Sequence, residues 1–167
     1  VRHGLRLLLD EREDMYIVGE AGDGQAAIDL VRQLKPDIVL MDVTMPGLDG
    51  IGATRQILAE TPGVKVIALS IHGEKHFVEA MLQAGVAGYI LKDSAPEELA
   101  AGVRAVMRGK VVLSPQVAGL VISEYRKALS SGQVLDDGQG RAAGSAIIET
   151  KMRRPDDAYG DVALAQD

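Results

Sequence analysis

Residues 36–47 read Pro36-Asp37-Ile38-Val39-Leu40-Met41-Asp42-Val43-Thr44-Met45-Pro46-Gly47. From Ile38 to Met41 the chain is apolar without a break, between a Pro-Asp start and a Met-Pro-Gly stop. A strand with one wet face alternates apolar with polar residues. An unbroken apolar run of this length reads instead as a strand covered on both faces, the habit of parallel sheets. Asp42 is the first polar side chain after the run. It therefore stands at the carboxyl end of a parallel strand, where open α/β sheets place their ligand sites.

Working upstream, Gln25–Leu34 carries Ala27, Ile28, Val31 and Leu34 at the helical period and closes at Lys35-Pro36. Met15–Ala21 reads as a strand. Before it, Val1, Leu5, Leu8 and Leu9 share one face of a helix that opens the chain with no strand in front. Downstream come a helix over Gly50–Ala59, a strand over Val64–Ser70, a helix over Glu74–Gln83 and a short strand over Gly88–Leu91 ending in Lys92. Ser94-Ala95-Pro96-Glu97 then offers a capping hydroxyl, an early proline and acids for the positive end of a helix running to Arg108. Strands alternating with helices of ~10–13 residues are the signature of βαβ units. The predicted fold is α/β, a doubly wound parallel sheet, and the leading helix without a strand makes it look truncated at the N-terminus.

Three parts follow. Residues 1–110 form the α/β domain. Residues 111–129 hold the apolar piece Val111-Val112-Leu113 and a helix from Gln116 to about Leu129 that Ser114-Pro115 caps. In residues 130–167 the apolar period fails while glycines and acids gather, which predicts a disordered or divergent tail. The acidic pairs Asp136-Asp137 and Asp156-Asp157 belong to that solvated tail.

Composition narrows the function. Of 167 residues 47% are hydrophobic and only 3% aromatic, so the core is aliphatic. With no cysteine there is neither a disulfide framework nor a thiolate zinc site. A net charge of −6 argues against nucleic-acid binding by this chain. No apolar run approaches the ~18 residues of a membrane span, and no signal-peptide pattern opens the chain. A cytoplasmic location is the expectation.

In a parallel sheet, polar residues at successive strand ends converge on one edge. Here they are Asp42, Ser70 and Lys92. A carboxylate can attack phosphorus to give an acyl phosphate. An ammonium beside it neutralises the phosphoryl oxygens and a hydroxyl donates to one of them. Phosphoryl transfer asks for little more than such positioning and charge, commonly with Mg²⁺. Singly, each residue has a plainer reading: a turn acid, a strand end, a solvated lysine. His72 and His76 sit four apart around Glu74 but lack the flanking order of a zinc helix, so a surface pair is the better reading. Thr44 stands where a haloacid-dehalogenase-like phosphatase needs a second aspartate. No GxxxxGK[ST] loop is present, and Gly47, Gly50 and Gly52 are too scattered for a dinucleotide fingerprint.

The stretches DIVLMDVTMPGLDG (37–50), VIALSIHG (66–73) and AGYILKDSAPEEL (87–99) together resemble the receiver domains of bacterial two-component response regulators. VRHGLRLLL (1–9) and GKVVLSP (109–115) are most similar to the LuxR/NarL type. The resemblance runs from residue 1 to about 128. It implies a flavodoxin-like receiver that takes a phosphoryl group from a sensor histidine kinase onto Asp42 and switches an output, transcriptional in the parent protein. It implies that Ser70 and Lys92 bind the phosphoryl group and that Tyr89 is the aromatic switch. It makes Asp42 and the Thr44 backbone carbonyl metal ligands for Mg²⁺, and gives Pro46 and Gly50 to the loop that shapes the site. Such a domain is not a conventional enzyme; at most it catalyses its own phosphorylation and dephosphorylation.

Two departures accompany the resemblance. Family members begin with an interior strand ending in the acidic pair that holds the metal, and this chain starts after it. Asp10, Glu11, Glu13 and Asp14 lie at the far end of the first helix and do not replace that pair, so the chain is expected to fold poorly, or to bind Mg²⁺ and take a phosphoryl group weakly. The helix-turn-helix output domain of the LuxR type has no counterpart in residues 130–167, so DNA binding by this chain is unsupported. Homodimerisation is open. The alternative reading is a phosphorylation-incompetent, receiver-like interaction domain or a truncated fragment.

Overall fold

A computed structural model describes Arg6, Leu9, residues 11–43, 50–71 and 73–132, and the backbone of 148–152 and 162–164. The elements are β1 (Met15–Tyr16), α1 (Gly24–Leu34), β2 (Ile38–Asp42), α2 (Gly50–Glu60), β3 (Lys65–Ser70), α3 (Lys75–Ala84), β4 (Gly88–Leu91), α4 (Pro96–Met107), β5 (Val112–Leu113), α5 (Pro115–Ser130), β6 (Ile148–Met152) and β7 (Val162–Leu164). The sheet order is β1-β6-β2-β3-β4-β5, with β7 paired to β6. β2, β3, β4 and β5 are parallel neighbours. This four-strand parallel body with its five described helices is the doubly wound α/β architecture that the βαβ rhythm predicts.

The unbroken apolar runs explain why both faces are covered. Side chains alternate across a strand. Val39 and Met41 of β2 join Val66 and Ala68 of β3 and Tyr89 and Leu91 of β4 in one core, with Ile28, Val31, Ile57 and Met81 from α1, α2 and α3 above them. Ile38 and Leu40 point the other way, with Ile67, Leu69 and Ile90, into a second core closed by Leu99, Val103 and Val106 of α4 and by Leu9. Every residue of β2 is buried. Gly102 lets α4 lie close on β4: a Cβ there would meet Ile90 Cδ1 at 2.8 Å. α5 packs on the first core through Val117, Leu120 and Val121, and Lys75 of α3 reaches Glu124 of α5 at 2.8 Å.

Local signals hold in part. Asp23 caps α1, its carboxylate accepting the Ala26 N–H at 2.8 Å, and Lys35 ends that helix in the left-handed region at φ 43°. Ser94 is not the cap of α4. Proline fixes the first turn at residue 96, so Ala95 takes the cap position, with no side-chain bond to the helix. The predicted strand Met15–Ala21 contracts to Met15–Tyr16, plus one bridge at Gly19. Its partner is β6, at Met15↔Met152 and Tyr16↔Lys151. Beyond that point Ile148–Thr150 of β6 are paired with β7, so β1 has no strand left to follow.

Sequence reading leaves the place between β1 and β2 empty. In the structure β6 lies there, antiparallel, at Val39↔Glu149. Most of residues 133–167, where a disordered tail is expected, lie outside the described residues, and the two short strands are elements that periodicity did not assign. Of the leading helix, Arg6 and Leu9 are described, both helical, with Leu9 buried. Among the described residues no helix is long and apolar enough to cross a membrane.

Candidate functional site

β2, β3 and β4 end side by side. Their register pairs Asp42 with Leu69 and Ser70 with Leu91, which sets Asp42, Ser70 and Lys92 on adjacent strand ends. The backbone stays paired at the edge: Val43 N–H donates to Leu69 O at 2.9 Å and Lys92 N–H to Ser70 O at 2.8 Å. The three residues that sequence reading singled out are thus brought together. Asp42 and Ser70 are 6% and 1% exposed, which is unusual for polar groups and means that the fold has set them there against a desolvation cost.

Lys92 Nζ donates to Asp42 Oδ2, and both side chains are largely withdrawn from water. A buried pair of this kind gains little net stability, but losing one partner strands the other charge. Chemically the arrangement is a carboxylate with a lysine ammonium bonded to it and a hydroxyl on the next strand.

Tyr89, on β4, points into the first core and is fully buried. Its hydroxyl meets no hydrogen-bond partner at normal geometry among the described residues. Burial pushes the phenol pKa up, the nearby Ser70 hydroxyl opposes that, and the negative charges of Glu74 and Asp42 add to it. Thr44 and Pro46 lie outside the described residues. Gly50 begins α2 and is buried, and its carbonyl accepts the Thr54 hydroxyl at 3.1 Å.

Asp14 is committed elsewhere: its carboxylate accepts Arg104 Nε at 2.7 Å and Nη2 at 2.9 Å, and this pairing holds the Asp14 pKa below the ordinary carboxylate value. His76 is a surface residue 3.5 Å from Glu74; His72 is outside the described residues. Among the described residues no group of three or more His, Cys, Asp or Glu is placed to hold a metal ion.

Sequence reading makes Ser114 only a helix cap. It does occupy the cap position of α5, but its side chain makes no bond to the helix. Its Oγ accepts the Leu91 N–H at 3.0 Å, one residue before Lys92. The Ser-Pro pair signalled a helix start; nothing in it signalled a bond to the sheet. Gln116, in the first turn of α5, lines an open cleft of about 430 Å³ with Ile71, Gly73, Glu74, Leu91 and Asp93, residues that follow or adjoin the ends of β3 and β4.

Comparison with known proteins places this geometry. The response regulator receiver domain family matches residues 1–104. The chain is 41% identical over 128 residues to the uncharacterized transcriptional regulatory protein YxjL of Bacillus subtilis, covering 77% of this chain and 59% of that protein. It is 42% identical over 118 residues to the response regulator GacA of Pseudomonas aeruginosa, covering 71% and 55%. The chain therefore spans a little over half the length of these curated relatives. Among solved structures, a LuxR-family two-component response regulator from Aurantimonas sp. SI85-9A1 superposes with a TM-score of 0.71 at 36% identity, over 75% of this chain and 90% of that one.

Receiver domains generally use Mg²⁺ and are generally not classical enzymes. Mg²⁺ is ordinarily held by one or two carboxylates together with waters and phosphate oxygens. The described residues fit this only in part, since no group of three or more potential ligands gathers among them and Lys92 already binds one oxygen of Asp42. Matched in sequence and in fold, with an acid, a hydroxyl and a lysine closing three adjacent parallel strands, the chain belongs to the response regulator receiver domain family, of LuxR/NarL type.

Proposed function

We propose that this domain accepts a phosphoryl group from the phosphohistidine of a sensor histidine kinase onto Asp42, and that the acyl phosphate switches a transcriptional output in the longer protein. The observation that carries the reading is the buried Asp42 carboxylate with the Lys92 ammonium on one of its oxygens and Ser70 on the adjoining strand end. An Asp42 oxygen attacks phosphorus as the P–N bond to imidazole breaks, and the electron pair leaves on the imidazole nitrogen. Lys92 balances charge on the phosphoryl oxygens and Ser70 donates to one of them. A charge change at this edge biases the packing of Tyr89 beneath it, a switch of the kind that local electrostatics drives. In this reading the domain catalyses no more than its own phosphorylation and dephosphorylation, in the cytoplasm.

Incubation with acetyl phosphate followed by intact-mass spectrometry tests it. One phosphoryl adduct is expected in the natural chain and none in Asp42→Asn. One observation favours a second reading, a receiver-like interaction domain that is not phosphorylated: among the described residues no group of three or more His, Cys, Asp or Glu gathers to hold a metal ion. Weak Mg²⁺ binding follows from the same observation, and a Mg²⁺ titration reads it. Absence of the adduct at saturating Mg²⁺ would favour the second reading.

A further inference from the structure

β5 is two residues long, and β4 continues past it. Their parallel pairing is Gly88↔Val112 and Tyr89↔Leu113. The ladder is extended by Val112 N–H on Ala87 O at 3.2 Å and Ser114 N–H on Tyr89 O at 2.9 Å. The next bond of a parallel ladder would run from Leu91 N–H to the carbonyl of Ser114. That carbonyl is taken: it accepts the Ala118 N–H at 2.9 Å as the first bond of α5. The Ser114 hydroxyl stands in for it, accepting the Leu91 N–H at 3.0 Å. One residue, 7% exposed, thus gives its N–H and Oγ to the sheet and its C=O to the helix.

Leu91 is itself buried, so without that hydroxyl its N–H would have no water to turn to. Lys92 follows directly. Its amide is held by Ser70 O at 2.8 Å on the other side, and its ammonium bonds Asp42. The end of β4 is clamped between Ser70 and Ser114, and Lys92 leaves from that clamp. Val117, the next buried residue of α5, packs in the same core as Leu91 and Tyr89.

We infer that Ser114 is a positioning residue for Lys92, setting the ammonium on Asp42 through the Leu91 backbone. The inference rests on the phosphoacceptor reading of Asp42 for its consequence, not for its geometry. Two measurements on the full chain test it. In Ser114→Ala, amide hydrogen exchange should quicken about tenfold at Leu91 and also at Lys92, whose amide Ser114 does not touch, while Ala68 and Val103 keep their protection. Phosphorylation by acetyl phosphate should slow several-fold, and Ser114→Thr, which keeps the hydroxyl, should restore both. Unchanged exchange at Lys92, or a uniform loss of protection across the sheet, overturns the inference. If the natural chain takes no phosphoryl, the phosphoacceptor reading falls and the Lys92 amide still decides the role of Ser114.

Discussion

β2 is held differently on its two sides. Toward β3 the ladder runs the whole strand, from Ile38↔Lys65 to Asp42↔Leu69. Toward β6 it rests on Val39↔Glu149 alone, and β6 is shared there with β1 and β7. The parallel body carries most of both cores and all three of the site's polar side chains, whereas the antiparallel edge adds Met15 to the second core and none of those three side chains. Asp42 is thus positioned by the side of the molecule that is covered by helices and deeply buried. Perturbing each side in turn should expose the contrast.

The largest effect is expected inside the parallel body. Leu40 is fully buried, and Leu40→Ala should cost about 3 kcal/mol in denaturant unfolding, the usual range for a core truncation. Ending the chain after Gly132 removes β6 and β7. That should cost on the order of 2 kcal/mol, a few backbone groups of β2 being left unpaired, and exchange should quicken at β2 amides and not at β4 amides. A deletion as damaging as Leu40→Ala would put the edge on a par with the body and break the contrast.

Arg104→Ala should cost about 1 kcal/mol, since its pairing with Asp14 is bidentate but about a third exposed. The Asp14 pKa is depressed, so this contribution is present above the ordinary carboxylate value near 3.8 and fades as pH falls below it. Thermal melts across that interval, with and without the substitution, should converge at the acid end. Smallest of all is Glu60. Its carboxylate takes Arg32 in two bonds of 2.7 Å between α1 and α2, which with Gln56 lowers its pKa from 4.5 to about 2. Stabilisation by this exposed pair is present above pH 4.5 and lost on the way down to 2. Glu60→Gln should barely move the melting temperature at neutral pH, and less still in high salt.

The same contrast governs what could be read from the sequence. Runs such as Ile38–Met41 and Val66–Leu69 have no polar position to offer a wet face, so strand type, parallel pairing and the strand-end site follow from them. The antiparallel edge was not legible. β6 has no distinctive period, and its pairing depends on which slot the rest of the fold leaves beside β1. Ser114 was half legible, because Ser-Pro marks a helix start in sequence, while the acceptor that Leu91 needs exists only once a two-residue β5 stops short of β4. Ser94 shows the reverse: a capping residue one place too early for the proline that sets the helix.

Reduction of the phosphodonor-treated chain with borohydride tests the central claim most directly. An acyl phosphate on Asp42 is reduced to the alcohol and releases phosphate, so peptide mapping should find homoserine at position 42 and nowhere else. Recovery of unmodified aspartate there after full treatment at saturating Mg²⁺, or homoserine at another aspartate, would contradict it.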